Sequence, residues 1–289
     1  KLKAPWQENI LNLESLIRAY ENKEEFDVFH SHLDHLGLFL QNLIKIPIIH
    51  TFHNPMSLRK KSNFSGKALL YRMHAKETAG VFISKNQKEN CFAKLKKSWV
   101  VYNGVDLENF KFNPSPEDYF LWTGRLDPYK GIENVIKVAK LGKINLLLAG
   151  KIDKGKEEYF RKKIKPTLSE KIRYLGELPQ KKLAEYYGKA KAFLYPIEWE
   201  EPFGLVMAEA MACGTPVIAF RRGSVPEVIK EGETGFVVKN ISEMAKALKK
   251  IKEIDRMACR KRVERLFTVQ KMADNYEKIY YQVLNEKNK

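Results

Sequence analysis

Short apolar runs of four or five residues alternate with amphipathic, helix-length stretches along almost the whole chain, and this alternation restricts the fold more than any other feature. Runs this short and this apolar read as strands buried on both faces, the condition of a parallel sheet. The helical stretch after each run supplies the crossover that parallel neighbours need. The strand-like runs fall at 26–30, 46–50, 80–83 and 98–101. After the turn signal Asn103-Gly104-Val105-Asp106 they continue at 119–123, 145–149, 172–175, 192–195 and 216–219. The expected fold class is α/β, with two doubly wound domains facing a cleft and ligands held outside the carboxyl ends of the strands. Ile10, Leu13, Ile17 and Tyr20 recur at helical spacing before the first strand, as do Met272, Tyr276, Ile279 and Val283 near the C-terminus.

The first half of the pattern is thinner than the second. It offers four strands, opens on Lys1 rather than Met, and shows no glycine-rich strand-to-helix turn before residue 100. The first strand of a doubly wound sheet normally sits centrally, so the expectation is an N-terminal domain that lacks an initial strand and its loop. At 289 residues the chain suits two domains of ordinary size, each able to bury a core. The longest apolar stretches, such as Ile144-Asn145-Leu146-Leu147-Leu148-Ala149, are too short to span a bilayer. Cys91, Cys213 and Cys259 are widely spaced, odd in number and without metal-ligand spacing. They read as reduced structural thiols, which favours a cytoplasmic location.

A formal net charge of +17 calls for an anionic partner or for lysines dispersed over solvated helix faces. One region differs from the rest. Between His35 and Lys76 there is no acidic residue, while Lys45, Arg59, Lys60, Lys61, Lys67, Arg72 and Lys76 carry positive charge. Leu58, Leu69, Leu70, Tyr71 and Met73 are interleaved with them, a basic amphipathic pattern suited to an anionic membrane surface, here the inner face. Nucleic acid is the less fitting partner, because neither a helix-turn-helix pattern nor the aromatic and basic interleaving of RNA-binding motifs is present.

The chemistry concentrates in Glu200-Glu201-Pro202-Phe203-Gly204-Leu205-Val206-Met207-Ala208-Glu209. On one continuous helix Glu201 and Glu209 would lie roughly 80° apart, but Pro202 and Gly204 mark a helix start instead. Glu201 is then on a loop, Phe203-Gly204-Leu205 at a helix N-terminus, and Glu209 about a turn inside. The unpaired amides of that first turn can hold an anion. Two hydroxyl-binding carboxylates beside a phosphate-binding helix end are what a nucleotide sugar requires. A second motif, Gly124-Arg125-Leu126-Asp127-Pro128-Tyr129-Lys130-Gly131, reads as a strand end, a turn and a helix start. Arg125 and Lys130 can converge there on a phosphate, Arg as a fork and Lys as a compact charge. Gly-Arg and Lys-Gly pairs are also common in turns, so this motif gains weight only beside the first.

Taken in order, these motifs resemble those of retaining glycosyltransferases of family 4, which have the GT-B fold. The resemblance runs through Asn103-Gly104-Val105-Asp106, Gly124-Arg125-Leu126, Lys130-Gly131, Tyr174-Leu175-Gly176, Glu201-Pro202-Phe203-Gly204-Leu205, Glu209-Ala210, Gly214-Thr215-Pro216-Val217-Ile218-Ala219, Pro226-Glu227 and Gly235-Phe236-Val237. It implies an acceptor-side domain over 1–108, a Rossmann-like nucleotide-sugar domain over 109–268, and a helix over 269–289 crossing back toward the first. It further implies that Glu209 binds the donor ribose and Glu201 the donor sugar. The amides near Phe203, Gly204 and Leu205, with Gly124, Arg125 and Lys130, would hold the diphosphate of a UDP-, GDP- or ADP-sugar. His53, in Thr51-Phe52-His53-Asn54, is the best match for a histidine facing the donor sugar, with His32 second. His30 and His50 read as the ends of buried strands. The expected catalytic set is therefore His53, Arg125, Lys130 and Glu201. The absence of an Asp-x-Asp pair fits metal-independent chemistry with no cofactor. Ile197 and Ser224 depart from the pattern, standing where a small Ser and a second Gly after Gly223 are common. The acceptor, whether a sugar, a lipid-linked group or a small molecule, is left open. A nucleotide-diphosphate-sugar binding module or inactive fragment without catalysis is the alternative.

Overall fold

A computed structural model of the chain describes residues 5–39, 41–56 and 66–287. The chain divides into two compact units, Lys1–Tyr102 with Met272–Lys289, and Asn103–Lys271. The first unit holds a parallel sheet of four strands among the described residues, β1 (Phe29–Ser31), β2 (Ile48–Phe52), β3 (Ala79–Phe82) and β4 (Lys97–Val100), in sequential order. Register pairs Ser31 with His50 and Phe52 with Phe82. The side chains of β2 and β3 alternate between two apolar layers. Phe52 and Phe82 pack with Leu38, Met56 and Tyr71, whereas Ile49 and Val81 pack with Val101, Tyr276 and Ile279. Burial on both faces is why β3 is continuously apolar, whereas β2 buries His50 and Thr51 within its run.

Three details differ from the sequence expectation. The first strand starts at Phe29 rather than residue 26, because Lys23–Glu25 forms a 3-10 turn and the chain bends at Asp27. The second starts after Pro47, which lacks a donor for the sheet ladder. In the helix Pro5–Glu21 the inward line runs through Leu16 and Tyr20, while Ile10 and Ile17 are exposed.

The second unit is a six-stranded parallel sheet in the order β10-β9-β8-β5-β6-β7. Its strands are β5 (Phe120–Thr123), β6 (Leu146–Ala149), β7 (Ile172–Tyr174), β8 (Phe193–Tyr195), β9 (Val217–Phe220) and β10 (Gly235–Val238). The last of these was legible only as a motif. From β5 the chain winds outward through β6 and β7, returns to the other side of β5 as β8, and winds outward again. The reversal lies between β5 and β8. The helix Ile132–Gly142 follows β5 and buries Ile132, Val135, Ile136, Val138 and Ala139. Val105 is tied into this unit by bonds from its N–H to the Phe267 carbonyl (2.7 Å) and from the Val269 N–H to its own carbonyl (3.3 Å). These bonds place the junction a few residues before 108. No helix among the described residues is long and apolar enough to cross a membrane.

Candidate functional site

In an open parallel sheet the loops diverge where the winding reverses, leaving a crevice at the carboxyl ends of the two strands concerned. Here those strands are β5 and β8. The loop after β5 carries Lys130, and the loop after β8 carries Trp199, Glu200 and Glu201. A bond from the Glu198 N–H to the Tyr129 carbonyl (3.0 Å) and one from Asn134 to the Glu198 carboxylate (2.7 Å) hold the two loops together. The Lys130 ammonium donates to Glu201 Oε2 at 3.2 Å. The same oxygen accepts from the Tyr195 hydroxyl at 2.5 Å and the Trp199 indole N–H at 2.8 Å. Lys130 Nζ also lies 4.5 Å from the Trp199 ring centre, a cation–π distance. Glu201 is 7% exposed, and three donors on one oxygen satisfy the charge it buries. Burial, followed by the neighbouring Glu201 charge, pushes the Tyr195 hydroxyl far up, so it stays protonated and donates.

Two glycines shape this loop. Gly204, at φ +77°, is the N-cap of the helix Leu205–Ala212, and a Cβ there would stand 3.2 Å from Glu201 Cγ. Gly223, at φ +52°, lies so close beneath the loop that a Cβ would come within 2.2 Å of the Glu201 carbonyl oxygen. Around it, the Ser224 N–H donates to that carbonyl (2.9 Å), the Gly223 N–H to the Glu200 carboxylate (2.7 Å), and the Ser224 hydroxyl to the Phe203 carbonyl (2.8 Å). In the first turn of Leu205–Ala212 the Met207 N–H donates to the Gly204 carbonyl (2.9 Å), while the Leu205 and Val206 amides precede the first intrahelical acceptor, and the helix dipole there favours an anion.

Glu209 sits one turn into that helix, half-buried beside Tyr187, whose hydroxyl is shared with Thr123 Oγ1 (2.7 Å) at the end of β5. Burial raises the Glu209 carboxyl to about 7, offset in part by its hydrogen bond from Tyr187. The remaining expected residues are differently placed. Arg125 is exposed, with its guanidinium 3.8 Å from Asp153. The Phe203 ring is buried at 1% exposure and packs edge-on against Phe267, which withdraws it from a ligand. Gly124 follows β5 and donates from its N–H to the Ala149 carbonyl.

In the first unit the two histidine candidates meet each other. His53 Nε2 and His32 Nδ1 are 2.8 Å apart, and the His53 N–H donates to Asp34 at 3.1 Å. Asn54 also donates to Asp34, which adopts φ +46° to reach both. His30 is not merely a strand end. It bridges Tyr280 (2.8 Å) and Thr51 (2.7 Å), and Thr51 meets Tyr276 (2.9 Å). Burial, followed by the proximity of His32, lowers His30 to about 4. His50, at 1% exposure, has neither ring nitrogen partnered among the described residues. Within the basic segment 45–76, Leu58, Arg59, Lys60 and Lys61 lie outside the described residues, while Tyr71 is buried and Leu69 and Met73 are exposed. Among the described residues no group of His, Cys, Asp or Glu is placed to hold a metal ion.

Sequence reasoning missed Tyr187, Tyr195 and Trp199. The last two lie within six residues of Glu201, and aromatic donors beside a carboxylate at a strand end are a usable signal. Tyr187 arrives from the separate helix Gln180–Lys189, and nothing local to Glu209 announces it. A groove of about 550 Å³ beside Phe120, Ile144 and Leu248 opens at the amino ends of the strands, away from the Lys130–Glu201 pair. Doubly wound sheets bind their ligands at the other end.

Residues 106–265 match the family Glycosyl transferases group 1, and residues 3–109 match Glycosyltransferase Family 4. An uncharacterized glycosyltransferase of Methanocaldococcus jannaschii is 30% identical over 235 residues, which is 77% of this chain. The chain spans 65% of that relative's length. Among solved structures, sucrose-phosphate synthase of Thermosynechococcus elongatus superposes with a TM-score of 0.82 at 22% identity, covering 99% of this chain and 81% of that one. HepE of Anabaena, solved in complex with UDP-glucose, superposes with a TM-score of 0.75 at 19% identity, covering 91% and 82%. The fold is GT-B.

Proposed function

The chain belongs to the glycosyl transferases of group 1, and on that premise we propose that it moves a sugar from a nucleotide diphosphate sugar to an acceptor hydroxyl, with retention of configuration and without a metal. The observation that carries this reading is the Lys130–Glu201 pair at the reversal between β5 and β8, beside the helix start at Gly204. An ammonium and a helix N-terminus suit a diphosphate, and a carboxylate beside them suits sugar hydroxyls. As the bond to the sugar breaks, negative charge grows on the departing diphosphate. Groups already aimed at that charge lower the barrier, because they need no reorganisation when it develops.

In this reading Lys130, the amides at Gly204 and Leu205, and Arg125 after a swing away from Asp153 hold the diphosphate. Glu201 holds the sugar and Glu209 the ribose. For His53, paired with His32, a role toward the donor sugar is proposed on the family resemblance alone. Retention rests on the family resemblance. That HepE was solved with UDP-glucose supports a UDP-sugar as the first donor to try. The acceptor is unidentified, and the basic stretch 45–76, with Leu69 and Met73 exposed, is proposed to meet an anionic membrane surface.

The test is transfer and hydrolysis of UDP-, GDP- and ADP-sugars by the wild type, Glu201→Ala and Lys130→Ala, alongside a thermal-shift screen. A donor at 100 times its Kd stabilises by roughly 2.7 kcal/mol. The expected outcome is one donor class that both stabilises and turns over, with turnover lost in both variants. Unchanged turnover in both variants would overturn the residue roles, and binding without turnover would make the chain a binding module.

A further inference from the structure

The cation assigned to the diphosphate is already occupied. Lys130 donates to Glu201 at 3.2 Å, on an oxygen that also takes the Tyr195 and Trp199 donors, while Glu201 Oε1 accepts from none of the described residues. Both partners are largely withdrawn from water, with side chains 19% and 9% exposed, so each is the other's main source of charge compensation. A diphosphate arriving alone must draw Lys130 away from Glu201 and leave that carboxylate with two neutral donors. A sugar-bearing diphosphate brings its own hydroxyls to Glu201 and so replaces what the carboxylate loses.

We propose that Glu201 competes with the diphosphate for Lys130, and that this competition discriminates the sugar-bearing donor from the bare nucleoside diphosphate. The consequence is weak retention of the leaving group once its sugar is gone. Tyr195 is the positioning residue in this device. Its hydroxyl shares the charge on Oε2, so it moderates how firmly Glu201 holds Lys130. The inference rests on the donor-site reading above, and the experiment separates the two.

Titration calorimetry of the whole chain with UDP, GDP, ADP, inorganic pyrophosphate and UDP-glucose compares the wild type with Glu201→Gln and Tyr195→Phe. Glu201→Gln keeps shape and hydrogen bonding while removing the charge. It is expected to bind the bare diphosphates about tenfold more tightly than the wild type, near the strength of one hydrogen bond to a charged group. The same variant is expected to lose the wild type's preference for UDP-glucose over UDP. Tyr195→Phe leaves Glu201 more dependent on Lys130, so bare diphosphates should bind several-fold more weakly. Opposite signs from two conservative changes are not what general damage to the fold produces. Equal or weaker binding of bare diphosphates by Glu201→Gln overturns the proposal, as does a shift of both variants in the same direction. If no diphosphate or donor binds the wild type, it is the donor-site reading itself that fails.

Discussion

The ribose-binding role proposed for Glu209 conflicts with stability in a way that can be measured. The Glu209 carboxyl is displaced from 4.5 to about 7, chiefly by burial. Below about pH 4.5 the group is protonated in both the folded and unfolded chain and carries no penalty. Above about 7 it is ionised in both, and the folded state bears the full cost of a charge removed from water. A raised folded-state value therefore means stability present at low pH and lost as pH rises through about 7. At 1.36 kcal/mol per pH unit the loss amounts to about 3 kcal/mol. Glu209→Gln removes the titrating group while keeping an acceptor beside Tyr187. Urea unfolding of the wild type and the variant between pH 4.5 and 8.5, followed by circular dichroism, isolates this effect, because other titrating groups are common to both proteins. The variant is expected to gain on the wild type steadily across that range, by about 3 kcal/mol at the alkaline end. On the ribose-binding role proposed for Glu209, donor binding should move oppositely in the wild type, tightening as Glu209 ionises, and should be weak at every pH in the variant. Parallel stability curves for the two proteins would refute the reasoning.

Three further outcomes follow from the same geometry. Lys130→Ala leaves a buried carboxylate without its cation and should destabilise the second unit by about 3 kcal/mol in addition to its effect on turnover; an unchanged thermal midpoint would contradict this. Gly223→Ala drives a methyl into the Glu201 carbonyl at a positive φ, so it should cost at least about 2 kcal/mol and abolish donor-induced stabilisation, read by thermal shift. His30 titrates about 4 rather than 6.5, so its contribution is present above 6.5 and lost as pH falls through 4. Relative to His30→Gln, the wild type should lose about 3 kcal/mol between those pH values, measured by urea unfolding.

Much of the fold is local information. A run such as Leu146-Leu147-Leu148-Ala149 is buried on both faces wherever it pairs, so its pattern alone declares a parallel strand. The helix start at Gly204 is equally local, since only a residue tolerant of positive φ can cap that turn. The inward face of the first helix was less legible. Of Ile10, Leu13, Ile17 and Tyr20, which keep helical spacing, Tyr20 is buried with Leu16 while Ile10 and Ile17 are exposed, because the choice of face depends on the neighbour rather than on the period.

The sequence by itself determined the α/β class, the two carboxylates with seven residues between them and the basic turn at Arg125 and Lys130, because each is a property of one short segment. Only the tertiary structure decided which of these charges meet. Strand order sets β5 beside β8, and so brings Lys130 onto Glu201 while Arg125 turns to Asp153. It also sets Tyr187 beside Glu209 and Gly223 beneath the Glu201 loop, contacts made by residues far apart in the chain. A charge's partner and its degree of burial are long-range quantities, and here they determine what each carboxylate can do.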